Sequence, residues 1–344
     1  MKRLKTLIPF LFVMLLSLSA VSAQDHRYDA GVSRELAEWR KATISDLRYE
    51  LSFDLIENCG VANITLSTSN KQDIIFDFRN TDKVYAVYDV ARDERIEYRC
   101  ENEHIIIAAS ALEGREMPLQ IAINFGIDNQ SLNRKPDFLY TLLVPDRART
   151  LFPCFDQPNL KAEYRLSLEM PAQWEAVANS PISEESVDGN RKSVKFSPTE
   201  PLSTYLFSFV VGKFDKAVYE DNGRKMVAYH RETDPKRVAQ LDEIFAQVVS
   251  SLDWLEDYTD IKYPFRKYDF VILPGFQYGG MEHTGATLYN DTRIFLSENP
   301  TAEEQLQRIQ LIAHETAHMW FGDYVTMAWF DDVWTKEVFA NYFA

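Results

Sequence analysis

The sequence predicts a multi-domain chain: an N-terminal antiparallel β-sheet domain over residues 24–215, then an α+β domain over residues 216–344. Two observations carry this. Between residues 47 and 215, short alternating or β-branched runs follow one another, punctuated by Gly, Asn, Asp and Pro. Beyond residue 215 the apolar spacing lengthens to the three and four of a helix.

The first 23 residues stand apart from both domains. Lys2, Arg3 and Lys5 precede an uncharged apolar stretch from Leu7 to Val21, and Val21-Ser22-Ala23 has the small residues of a signal-peptidase site. At about 15 residues, the stretch falls short of the roughly 20 that span a bilayer. It reads as a signal peptide, with an uncleaved anchor as the alternative. The mature chain is then expected to start near Gln24, to be periplasmic or extracellular, and to have no stable membrane insertion.

In the β-sheet domain, strands are expected at Ile105-Ile106-Ile107, at residues 119–123 and at residues 164–168. In the second domain, residues 235–258 have helical spacing, with Val238, Leu241, Ile244, Phe245, Val248, Leu252 and Leu255 on one stripe. A strand-like block at residues 268–273 and a glycine-bearing segment around Gly279-Gly280 follow. A second helix is expected to start near Thr301, where Thr301 and Glu304 fit a capping box. Its buried stripe is read as Leu306, Ile309, Ala313, Ala317 and Trp320. A last helix, with Trp334, Val338 and Tyr342 as its apolar face, follows the turn-forming Gly322, Asp323 and Asp331-Asp332.

A formal net charge of −15 argues against nucleic acid or an anionic membrane as the main partner. Of the three cysteines, Cys59 and Cys100 lie near the ends of strand-like segments, so a disulfide between them and three free thiols are both open readings.

The chemistry concentrates in His314-Glu315-Thr316-Ala317-His318. Residues four apart share a helix face, so both imidazoles can reach one metal ion. Glu315 is rotated about 100° from His314 and can stand beside the metal without ligating it. Two histidines leave a catalytic zinc site short of its third protein ligand. Glu337, 19 positions after His318, supplies it if the last helix returns antiparallel to the second.

Residues 312–322 read IAHETAHMWFG and residues 334–340 read WTKEVFA. Together they resemble the HExxH-plus-distant-Glu signature of the aminopeptidase N family of zinc metallopeptidases. Residues 279–282, GGME, are similar to that family's GxMEN motif, and residues 152–161, FPCFDQPNLK, to its FPCFDEP-type segment. The order and spacing match from about residue 45 onward. The resemblance implies a thermolysin-like catalytic domain, one Zn2+ ion on His314, His318 and Glu337, and Glu315 as general base. It also implies that Glu282 grips the free α-amino group of a peptide, and that Gly279, Gly280 and Met281 line the substrate's path. Asn341, one turn beyond Glu337, is read as orienting a ligating histidine or as a surface residue.

Some positions depart from the family pattern. His283 replaces the Asn of GxMEN, and Lys336 and Val338 flank Glu337 where Asn and Gly are typical. Val144 stands where a second amine-binding Gln or Glu is usual, with Asp146 the nearest acid. The family's downstream catalytic Tyr and helical domain have no counterpart before Ala344, which implies a truncated or incomplete catalytic domain. The leading expectation is a secreted zinc aminopeptidase, represented by its N-terminal portion. The alternatives are a thermolysin-type endopeptidase and a zinc- or peptide-binding scaffold without turnover.

Overall fold

The structure is a computed structural model that describes residues 25–68, 72–221 and 223–344; the expected signal peptide lies outside the described residues. An eight-stranded sheet forms the first layer. Its order is Ile182–Asp188, Arg191–Phe196, β4 (Glu163–Pro171), β1 (Ile44–Asp54), β2 (Cys59–Thr68), β3 (Leu119–Gly126), Val84–Asp89 and Glu94–Arg95. The strands alternate as a half-buried sheet requires: Tyr49, Leu51 and Phe53 of β1 face inward with Ala62, Ile64 and Leu66 of β2. One pair departs from the antiparallel expectation. β1 and β4 run parallel from Arg48↔Glu163 to Asp54↔Glu169, because the long intervening chain provides the crossover that parallel neighbours need.

A helix not expected from the sequence, α1 (Arg34–Thr43), precedes this sheet, capped by Ser33. Its Arg40 is fully buried and reaches Asp77 with two nitrogens, at 2.7 and 2.6 Å. Asp77 in turn accepts from the backbone N–H of Asp156 at 2.8 Å and exchanges backbone hydrogen bonds with Cys154. The FPCFDQPNLK segment is thereby docked through one buried ion pair. Burial opposes ionisation of Asp77, but Arg40 and His104 overcome it and hold its pKa at about 2. All three cysteines are free; Cys154 is buried, whereas Cys59 and Cys100 are exposed.

A four-stranded sheet, Glu175–Ala178, Phe209–Gly212, Phe138–Thr141 and Leu132–Arg134, is covered on both faces. It belongs to an apolar core that continues into the second half of the chain through Val271, Leu273, Met281 and Leu288. That half is built on a five-stranded sheet, in the order β5 (Asp215–Asp221), β6 (Arg224–His230), β7 (Phe270–Leu273), β9 (Thr287–Asn290) and β8 (Gly280–Met281). β6, β7 and β9 are parallel, and β8 is an antiparallel edge strand.

Two helices pack on this sheet. In the first, a short turn, Pro235–Val238, precedes α2 (Leu241–Thr259). Its buried face is the predicted stripe from Leu241 to Leu255, with Val238 only half-buried. The second, α3 (Ala302–His318), starts at the Thr301–Glu304 capping box as expected. The last helix is α4 (Val333–Phe343).

The predicted apolar stripes of α3 and α4 need correction. Leu306 and Ile309 are 53% and 44% exposed, whereas Ala317 and Trp320 of the predicted stripe are buried, and α3 adds Arg308, Ile312, Glu315, Thr316 and His318 to its inner face. Trp334, Val338 and Tyr342 are 60%, 54% and 76% exposed, while Lys336 and Ala340 face inward. Polar groups that pair with one another across the two helices take the inner positions, a pattern that hydrophobic periodicity does not register.

Breaking a buried ion pair by removing one partner leaves an uncompensated charge. Arg40→Ala is expected to lower unfolding stability by about 3–5 kcal/mol, measured by denaturant titration. An effect under about 1 kcal/mol, the range of an exposed pair, would contradict the role given to Arg40.

Candidate active site

The capping box fixes where α3 begins, and the helix then carries His314 and His318 to one face. After His318 the chain turns tightly. The backbone N–H of Asp323 donates to the His318 carbonyl at 3.0 Å and that of Tyr324 to the Met319 carbonyl at 3.1 Å. α4 then packs against α3 and brings Glu337 to both histidines. The Nε2 atoms of His314 and His318 are 3.0 Å apart, and Glu337 Oε2 lies 3.5 and 3.6 Å from them.

The two carboxylate–imidazole sides of this triangle fit a tetrahedral divalent ion, and the imidazole–imidazole side is shorter. Donor bonds of about 2.0–2.2 Å imply donor–donor separations of roughly 3.3–3.6 Å. The orientation of His318 also fits, because its Nδ1–H donates to the Phe321 carbonyl at 3.1 Å and turns Nε2 toward His314 and Glu337. That bond performs the orienting role considered for Asn341, which is exposed at the cavity rim. Burial opposes ionisation of Glu337, but the imidazoles of His314 and His318 hold its pKa below the usual carboxylate range. A second cluster, Glu282, Glu315 and His318, also gathers possible donors. There Glu282 is already engaged by the ammonium of Lys336, so the first set suits a metal better.

The triangle opens on a cavity of about 650 Å³, lined by Glu315, Glu282, Lys336, Gly279, Gly280 and Met281 among others. Glu315 is buried beside His314 and His318 without belonging to the triangle. Burial, reinforced by the charges of Glu282 and Glu337, pushes its pKa up to about 8. Gly280 makes its position possible: a Cβ there would overlap the Glu315 carboxylate. Burial opposes ionisation of Glu282 too, but Lys336 and His318 hold its pKa at about 2.

Residues 44–206 match the Peptidase M1 N-terminal domain and residues 244–344 the Peptidase family M1 domain. The chain belongs to peptidase family M1. Among similar proteins, the glutamyl aminopeptidase of Sus scrofa is 37% identical over 202 residues, 58% of this chain and 21% of that protein. The aminopeptidase N of Streptomyces lividans is 37% identical over 211 residues, 60% of this chain and 24% of that protein. The matched region is thus under a quarter of the length of either relative.

In this M1 chain the two halves meet at the turn that follows His318. Lys161, the last residue of FPCFDQPNLK, donates to the carbonyls of Asp323 and Tyr324 at 2.7 and 3.0 Å. The Tyr205 hydroxyl donates to the Gly322 carbonyl at 3.2 Å. Neither contact is visible in local sequence; the lysine ending that segment was the one available signal. Lys336, noted from sequence only as a departure from the family pattern, is a wall of the cavity. Asp146 does not reach the cavity: it pairs with Arg149 at 2.9 Å, and Val144 and Pro145 form that wall.

His283 is fully buried, and neither ring nitrogen has a hydrogen-bond partner. Burial lowers its pKa to about 4. The unfolded chain therefore binds a proton near pH 6.5 that the folded chain refuses until about pH 4. Stability is complete above the unfolded pKa and falls as pH drops toward the folded one. His283→Leu is expected to flatten the loss of stability between these limits by on the order of 3 kcal/mol, followed by chemical denaturation at stepped pH. An unchanged slope would show that His283 does not titrate in this way.

Proposed function

We propose that this chain is the metal-binding portion of an exported, zinc-dependent aminopeptidase. The observation that carries the reading is the His314, His318 and Glu337 triangle, with Glu315 and Glu282 on the same cavity. One Zn2+ ion is the cofactor we assign to the triangle. When bound, it would lower the pKa of a water toward about 7 and polarise the scissile carbonyl.

In this reading Glu315 takes the proton of the attacking water and passes it to the departing nitrogen as the C–N bond breaks. Its raised pKa suits a group that must both accept and return a proton. Glu282 holds the substrate's α-ammonium through a charge-assisted hydrogen bond, which fixes cleavage one residue from the N-terminus. The edge strand Gly280–Met281 offers backbone groups to an extended peptide, as sheet edges do in strand addition. The partners are peptides with a free N-terminus. We divide the chain into a β-sheet domain at residues 24–215 and a catalytic portion at residues 216–344, because β5, at Asp215–Asp221, is the first strand of the second sheet.

The purified chain is expected to hydrolyse an aminoacyl reporter, to lose that activity to a chelator and to regain it with zinc. Glu315→Gln is expected to reduce kcat by about 10²–10⁴ with zinc content unchanged. Gly280→Ala should produce a loss of the same order by displacing the Glu315 carboxylate. Chelator-resistant turnover would exclude the metal mechanism, and equal cleavage of N-acetylated peptides would indicate an endopeptidase.

The exported state rests on residues 2–23, a basic start, an apolar stretch and a small-residue cleavage site. Expression in an exporting bacterial host should yield a mature N-terminus near Gln24 by mass spectrometry. Retention of Met1 on the exported protein would refute the cleavage assignment.

A further inference from the structure

The Lys336 side chain is 3% exposed and that of Glu282 is 5% exposed, yet both line the cavity. Lys336 reaches across from α4 and donates to Glu282 Oε1. The same ammonium lies 3.4 Å from Glu337 Oε1 and 5.0 Å from the centroid of the Tyr205 ring. Glu337 uses its other oxygen, Oε2, toward the histidines. Lys336 therefore sits among three groups that attract a cation, and its hydrogen bond goes to Glu282 rather than to the adjacent Glu337.

A buried carboxylate in an enclosed site favours one well-placed cation, and a second ammonium nearby meets like-charge repulsion weakly screened by the surroundings. Val144 and Pro145, on the cavity wall, bring no side-chain acceptor that would share the load. A peptide ammonium arriving at Glu282 therefore finds that carboxylate already neutralised.

We propose that Lys336 is a built-in competitor for Glu282, its ammonium standing where a substrate's α-ammonium must bind, so that residue 336 sets how strongly the site selects a free N-terminus. This rests on the reading of Glu282 as the amine anchor. For the substrate amine to bind, Lys336 must give up Glu282 and keep Glu337 Oε1 and the Tyr205 ring, both within reach of its present position. Amine binding is thus an exchange of one cation for another, and its affinity is lower than an unoccupied carboxylate would provide. Lys336 acts on specificity and takes no part in the bond-breaking step.

The test compares wild-type chain, Lys336→Met and Lys336→Arg by calorimetric binding of leucinamide and N-acetyl-leucinamide, with KM and kcat for an aminoacyl reporter alongside. Wild type is expected to bind leucinamide weakly but better than its acetylated form. Lys336→Met should bind leucinamide at least tenfold tighter with the acetylated ligand unchanged, and its KM should fall more than its kcat changes. Lys336→Arg keeps a cation and should stay near wild type. If Lys336→Met binds leucinamide no more tightly while wild type still prefers the free amine, the competition is refuted and the amine-anchor role of Glu282 stands. If wild type shows no preference for the free amine, that role fails and the competition falls with it. Should Lys336→Met not fold, Lys336→Gln removes the same charge with a shorter polar chain and is judged by the same outcomes.

Discussion

Two imidazole nitrogens 3.0 Å apart, with a carboxylate oxygen against both, define the constraint around which the second half of the chain is organised. Such donors converge only if α3 and α4 are held at a fixed distance and rotation. Hydrophobic packing alone would not choose that rotation, since it leaves Trp334, Val338 and Tyr342 outside. The choice is made by polar contacts: the Thr301–Glu304 box at the start of α3, the Nδ1–H of His318 on Phe321, and the Lys336–Glu282 pair beneath α4.

The β-sheet half participates in that constraint. Lys161 and Tyr205 together cap the carbonyls of Gly322, Asp323 and Tyr324, the turn that decides where α4 begins. Lys161 is held in turn by a segment whose Cys154 and Asp156 are fastened to Asp77, and Asp77 to Arg40. A chain of contacts thus runs from Arg40 of α1, through Asp77 and the FPCFDQPNLK segment, to the turn that follows His318.

Much of this was legible in sequence where the determinant is local. The change from period two to period 3.6, the capping box at Thr301 and the i, i+4 spacing of His314 and His318 each depend on a few neighbouring residues. Glu337 was legible because an antiparallel helix pair offers few places for a third donor. Lys336, Lys161 and Tyr205 were not, because each acts on a partner 54 to 163 residues away. α1 and the parallel β1–β4 pair were missed for related reasons. α1 is short and buries an arginine, and strand pairing is set by crossovers rather than by the strands themselves.

Gly280 has a consequence for how such a site can diversify. The space its missing side chain leaves is already filled by the Glu315 carboxylate, so this stretch of the cavity floor is closed to variation. A change of the cavity's shape would then fall on the facing surfaces, at positions such as Val144, Pro145 and Lys336, where a side chain can change without evicting the Glu315 carboxylate. The cavity is thus divided between a floor fixed by one close approach and walls without that restriction.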